Sequence, residues 1–363
     1  METTADQIAA AARARGPELG ERLRLEADVM VDALGQQLQL VAWDREQLLG
    51  QVQARIAELH GQRPSVREGP PVRVIERRLQ PLEAIDVTWA WLRRGRRVRL
   101  ELEPNACTAV AELLRGLAYR LPPGALEIHD GTSSGLPTGY APGGVDAPKE
   151  RVAVIDGDAD RELAAYVLAR TGLRRSGVDP RGVKRAFVVG DLDLLERHMR
   201  RLWVGIRVGP ADDPESFMGP VPASLLEPYR AAHAQWQAHA DVRTWCPGGV
   251  LERTGDPASY LAPALFCTRW PVPELPLVGP MVVVVACDGV LRLQEVARQA
   301  QGTSTGKTST THSGLHALPS NPTGAAVVQI GGRPGRIPGP VRHVRGALLV
   351  ERLPPGMPEP RPV

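Results

Sequence analysis

The sequence is poor in cysteine, lysine and aromatic residues, and each shortage excludes something. Its four cysteines, Cys107, Cys246, Cys267 and Cys287, are scattered through 363 residues with no CxxC pair. That spacing supports neither a disulfide scaffold nor a thiolate zinc site, and the four read as buried thiols in a reducing compartment. Lysine stands only at 149, 184 and 307, so the net charge of +3 rests on arginine. Aromatic residues make up 4% of the chain and none interleaves the densest basic run, Arg93-Arg94-Gly95-Arg96-Arg97-Val98-Arg99. Without stacking platforms that run reads as a solvated turn entering a strand, and no nucleic-acid partner is expected. No apolar run approaches the roughly 18 residues of a membrane span, so no membrane association is expected. The longest, Met281 to Cys287, has the length of a buried strand. METTADQIAAAARARGPELG lacks a basic start followed by an apolar block, so no secretory signal is read and a cytoplasmic location is expected.

What is present is ordinary globular material: 43% hydrophobic and 23% charged residues, enough for one large or two moderate domains. Residues 4–60 read as helices. Leu23, Leu25, Val29, Val31, Leu34, Leu38 and Leu40 recur at near-helical spacing, and Asp44 is a plausible N-cap for a second stretch through Leu59. That apolar stripe either packs on the chain's own core or forms a contact surface. After a proline-rich break at 63–71, strand-like and helical pieces alternate: VRVIERRL, VRLELE at 98–103, a helix from Thr108 to about Arg120, and ALEIHD at 125–130. GTSSGLPTGYAPGGVDAPKE, 131–150, is aperiodic and rich in Gly, Pro and Ser, which marks a loop at a domain boundary. A second series follows: strand 151–156, helix 160–170, strand 184–190, helix 191–203, a long helix near 223–239, and MVVVVAC, whose uniform apolarity suits a parallel strand covered on both faces. AAVVQI and GALLVERL are further strand candidates.

Seven segments in collinear order resemble those of aldehyde dehydrogenases. RLELEPNACTAVAELLRGLAYRLPPGALEIHDG at 99–131 looks like the family's "VVLKPSE" block. RVAVIDGDAD at 151–160 is similar to "PAIVxDDAD", and SGVDPRGVKRAFV at 176–188 to "xGQVCTAxKRVFV". LWVGIRVGPADDPESFMGPVP at 202–222 resembles "LKVGDPxDPxTDMGPxI". SYLAPALF, LVGPMVVV and GALLVERLPPGMPEPRP complete the series. The resemblance implies an α/β fold with a parallel-sheet catalytic-type domain at 149–345, a C-terminal strand and proline-rich tail at 346–363, and a reduced dinucleotide-binding-like domain with a helical N-terminus at 1–148. It also implies an active site between the domains and association through an added β arm.

Carried over one by one, the family's chemical positions have changed. Its nucleophilic cysteine falls on Asp179, and a carboxylate adduct cannot yield a thioester by hydride loss. Because Pro180 follows, Asp179 also reads as part of an extended turn toward the next strand. The general base of "LELGGK" falls on Asp146, one methylene shorter and without the two glycines. The oxyanion-holding Asn of "PWNxP" has no counterpart, since between EAIDVTWAWL and EPNAC the chain is too short for that motif and its helix. The adenosine-ribose lysine of "KPSE" falls on Glu103, a reversed charge, and the nicotinamide-ribose glutamate of "EEIFGP" on Pro276. About thirty residues that would carry the "FTGSxxxG" helix start are missing between His129 and Arg151.

The expectation is therefore a catalytically inactive member of the fold, with no cofactor and no metal. It would act through association, as a homo-oligomer or with another protein such as an active paralogue. The alternative is an NAD(P)-dependent oxidoreductase acting on an aldehyde, with Cys246 or Cys267 replacing the lost thiol, though both lie far from the expected turn. GTSTGKTST at 302–310 misses the phosphate-loop spacing by one residue and reads as a loop. His312 and His316 lie in that loop without an acidic partner, and His233 and His239 flank Trp236 on a helix as surface residues.

Overall fold

The computed structural model describes residues 3–59, 65–66, 68–76, 81–104, 106–142, 151–179, 182–253, 255–300, 327–332 and 341–344. The chain divides into two compact units, Met1–Ala147 and Pro148–Val363, hereafter units 1 and 2.

Unit 1 begins with α1 (Ala5–Leu25), α2 (Ala27–Gln37) and α3 (Ala42–Leu59). A capping box between Thr4 and Gln7 starts α1. The seven-residue stripe is split by the break at Glu26, so it changes phase between α1 and α2. Leu25 and Val29 are consequently 67% and 72% exposed, whereas Leu23, Val31, Leu34 and Leu40 are buried. Asp44 does not cap α3 but sits in its first turn, where its charge suits the helix dipole.

The chain then runs β1 (Val72–Glu76), α4 (Pro81–Leu92), β2 (Val98–Leu102), α5 (Thr108–Ala118), β3 (Leu126–Asp130) and β4 (Ala141–Pro142). The four strands form one parallel sheet in the order β3-β2-β1-β4. α4 stands on EAIDVTWAWL, a helix the sequence reading did not assign, and between its end and EPNAC the chain holds only a turn and β2. Residues 77–80, which lead into α4, lie outside the described residues.

Right-handed crossovers bring α4 and α5 to the same face of the sheet; α1 packs against α4 and α2 against α5, with α3 against α1 and α2. Val72, Val74, Val98, Leu100 and Leu126 join that core. Strand alternation directs Arg73, Arg99 and Glu101 to the opposite face. Parallel strands covered on both sides are apolar throughout; these alternate, because residues 131–140 pass over the second face as turns.

Unit 2 contains β5 (Arg151–Ile155), α6 (Arg161–Gly172), β6 (Val183–Val188), α7 (Leu192–Gly205), α8 (Leu226–Ala238) and β7 (Arg243–Cys246). β8 (Gly249–Leu251), β9 (Tyr260–Ala262), β10 (Ala264–Arg269), β11 (Met281–Ala286), α9 (Val290–Ala300), β12 (Val327–Ile330) and β13 (Val341–Val344) follow. Asp160 and Asp191 cap α6 and α7 through their carboxylates. A seven-stranded sheet runs β13-β12-β5-β6-β11-β10-β7, parallel except for the edge strand β7. Tyr229, Trp236 and Phe266 join Val154, Phe187 and Val283 in one core with Leu293 and Val296 of α9. Among the described residues, no helix is long and apolar enough to cross a membrane.

Candidate functional site

The segment that raises the question of catalysis, 173–182, links α6 to β6. Three successive residues there are left-handed: Arg175 (φ 50°), Ser176 (φ 54°) and Gly177 (φ 75°). Two non-glycine residues in this region cost about 1–3 kcal/mol each, so surrounding bonds must hold the turn. The Ser176 hydroxyl donates to the Gly219 carbonyl and accepts from the Gly219 amide, both at 2.9 Å. Lys184 Nζ donates to the carbonyls of Gly172 at 3.1 Å and of Gly177 and Gly279 at 2.6 Å. Gly177 is required by sterics as well as by φ, because a Cβ there would overlap the Gly279–Pro280 backbone. Three of the motif segments, around 177, 219 and 279, therefore meet at one locked turn.

Asp179 closes that turn. It is buried, its carboxylate lies 3.2 Å from Arg174 Nε, and its carbonyl accepts from the Gly182 amide at 2.8 Å. Its surroundings are those of a tethered structural acid. Arg174, Ser176 and Lys184 were missed as site residues by sequence reasoning; the only signal was the rarity of lysine.

The substitute thiols lie elsewhere. Cys246 is on β7 and Cys267 on β10, and β11 separates β10 from β6. Burial pushes the Cys246 thiol up to about 11. Burial also raises Cys267, against the opposing pull of Arg243, whose guanidinium donates to its sulfur at 3.9 Å. Cys287 is raised to about 11 by burial as well. Near neutral pH these groups are thiols, and the thiolate is the nucleophile.

In unit 1 the position matched to a cofactor contact, Glu103, sits with Glu76 at the carboxyl ends of the parallel strands, where open α/β sheets bind ligands. Glu103 follows β2 directly and is half-buried; Glu76 ends β1 and is fully buried. Both are acids at an edge that a dinucleotide would approach with phosphates. The α5 N-terminus is bracketed by Gln37, whose amide oxygen accepts from Thr108 N at 3.2 Å while its NH2 donates to the Ala106 carbonyl at 3.0 Å.

Beyond β3, Ser133 binds Glu101 through its amide at 2.9 Å and its hydroxyl at 2.5 Å. Arg73 and Arg99 pair with the same carboxylate at 2.7 and 3.0 Å. Burial alone would raise Glu101, but the four contacts from these three residues outweigh it and hold the carboxyl at about 2.

Pro276 is exposed and offers only its carbonyl, which accepts from Trp236 Nε1 at 2.8 Å. Asp146, GTSTGKTST, His312, His316 and GALLVERL lie outside the described residues. Among the described residues, no three His, Cys, Asp or Glu side chains cluster as a metal would require.

The sequence matches no protein-family model and no curated protein. Solved structures do match. Aldehyde dehydrogenase C of Pseudomonas syringae, solved with NAD+ and octanal, superposes with a TM-score of 0.63 at 16% identity, over 82% of this chain and 74% of that one. Betaine aldehyde dehydrogenase of Staphylococcus aureus gives 0.63 at 15%, over 82% and 69%. Delta-pyrroline-5-carboxylate dehydrogenase of Mycobacterium tuberculosis gives 0.57 at 14% over 82% of this chain, which spans 65% of that enzyme's length. Identities this low speak to architecture alone, and the architecture of this chain is the aldehyde dehydrogenase fold.

Proposed function

We propose that the protein is an aldehyde-dehydrogenase-like chain without dehydrogenase activity, acting through association with copies of itself or with another protein such as an active paralogue. The observation that carries this reading is Asp179, buried against Arg174 in a turn locked by Ser176 and Lys184. In the proposed alignment it stands where catalysis needs an ionisable thiol. The protonated state of Cys246 and Cys267 supports the same reading, as do the acids at the carboxyl edge of unit 1.

A second reading, an NAD(P)-dependent aldehyde oxidoreductase with an unusual site, draws on one observation: a structural neighbour was solved with NAD+ and octanal. Calorimetric titration with NAD and NADP to millimolar concentration separates the two, because a ligand of the native state also stabilises it by linkage. No saturable heat, no thermal shift and no aldehyde turnover are expected. Asp179→Cys is expected to remain inactive, since on this reading neither a general base nor a bound cofactor would accompany the new thiol. Turnover by the natural chain that disappears in Cys246→Ser or Cys267→Ser would overturn the proposal. Sedimentation of the purified chain tests self-association directly.

A further inference from the structure

We propose that Glu76 is a proton-operated switch: it is held in folded unit 1 as the neutral acid, and loss of its proton loosens the carboxyl edge of the sheet. Glu76 ends β1 on the face that Val72 and Val74 bury against α4 and α5, so alternation directs a carboxyl into an apolar core. It is fully buried, and among the described residues no side chain bonds either oxygen, the Cys107 backbone amide being the group that favours its charged form. Among the described residues, the charged group that faces it is another acid, Glu103 at the end of β2, and α5 offers the uncharged Cys107 amide. Among the described residues no cation compensates a negative charge there, whereas the neutral acid is tolerated far more readily in an apolar setting.

The position is also the switch point of the sheet. The chain leaves β1 for β2 on one side and later returns to place β4 on the other, and the carboxyl end of such a strand is where open α/β sheets bind their ligands. Here the ligand is a proton. Burial pushes Glu76 up to about 7, the Cys107 amide opposing and Glu103 adding to the shift. Because the folded value lies above the ordinary 4.5, the stability it contributes is complete below about 4.5 and is lost as pH rises through about 7.

Hydrogen exchange of the full chain, corrected for intrinsic rates, tests this at pH about 5 and about 8. Protection of β1 and β2 is expected to fall by up to about 100-fold at the higher pH, the scale set by a shift of about two units. Protection of β10 and β11 in unit 2 serves as the internal control. Glu76→Gln removes the pH dependence from β1 and β2, and Glu103→Gln moves its midpoint to lower pH. Difference infrared spectra show a protonated carboxyl band near neutral pH that Glu76→Gln lacks. An unchanged pH profile in Glu76→Gln, an unmoved midpoint in Glu103→Gln, or no such band would each overturn the proposal.

Discussion

Replacing Lys184 with Met tests whether the turn carrying Asp179 is a rigid scaffold. The substitution keeps a chain of similar length and removes the ammonium that joins the end of α6, the left-handed turn and the loop before β11 through three carbonyls. Hydrogen bonds from a charged donor contribute about 1.5–3 kcal/mol each, so three at the low end give about 4–5 kcal/mol. Lys184 is half-buried, and water reaching part of the array reduces the expected loss to about 3 kcal/mol. With a urea slope of about 1–3 kcal/mol/M, the unfolding midpoint falls by about 1–3 M. The readout is the fluorescence of Trp203, Trp236 and Trp245, all buried in unit 2. A midpoint within about 0.3 M of the parent would refute the reasoning, because the carbonyls would then be satisfied without the lysine.

Gly177→Ala combines an unfavourable positive φ with overlap on Pro280, and about 3 kcal/mol is expected to be lost in the same denaturation assay. The four buried cysteines are expected to resist a disulfide reagent in the native chain near pH 8 and to react fully after unfolding; rapid labelling of Cys246 or Cys267 would contradict the raised thiols. Glu101 titrates below the ordinary 4.5, so its contribution is present above about 4.5 and fades as pH falls toward about 2. Glu101→Gln should therefore lower stability at neutral pH and flatten the acid side of a pH–stability curve. A neutral-pH change under about 0.5 kcal/mol would show that the Arg73, Arg99 and Ser133 contacts contribute little.

Much of the fold was legible because local patterns and tertiary packing agree. The run at 281–286 is buried over nearly its whole length as a parallel strand, and Asp160 and Asp191 mark the starts of α6 and α7. α4 escaped because its sequence, PLEAIDVTWAWL, is apolar on most faces, which hides a helical period. β7 and β8 are short, and VRHV of β13 carries a charge within four residues, so none gave a strand signal. At the site, Asp179 could be placed by motif, but its Arg174 partner and the role of Lys184 depend on a left-handed turn that composition does not announce. Glu76 was invisible for the same reason as many buried acids: in VRVIERRL it looks like one more surface charge.

The polar back of the unit 1 sheet also limits how the chain can change. Arg73, Arg99 and Glu101 with their Ser133 clasp are mutually satisfied, so replacing any one strands the others beneath the 131–140 segment. Laying a helix across that side would demand simultaneous exchange of several strand positions from charged to aliphatic. Covering that side with a third layer is thus not reached by single substitutions, independently of which residue stands at 179.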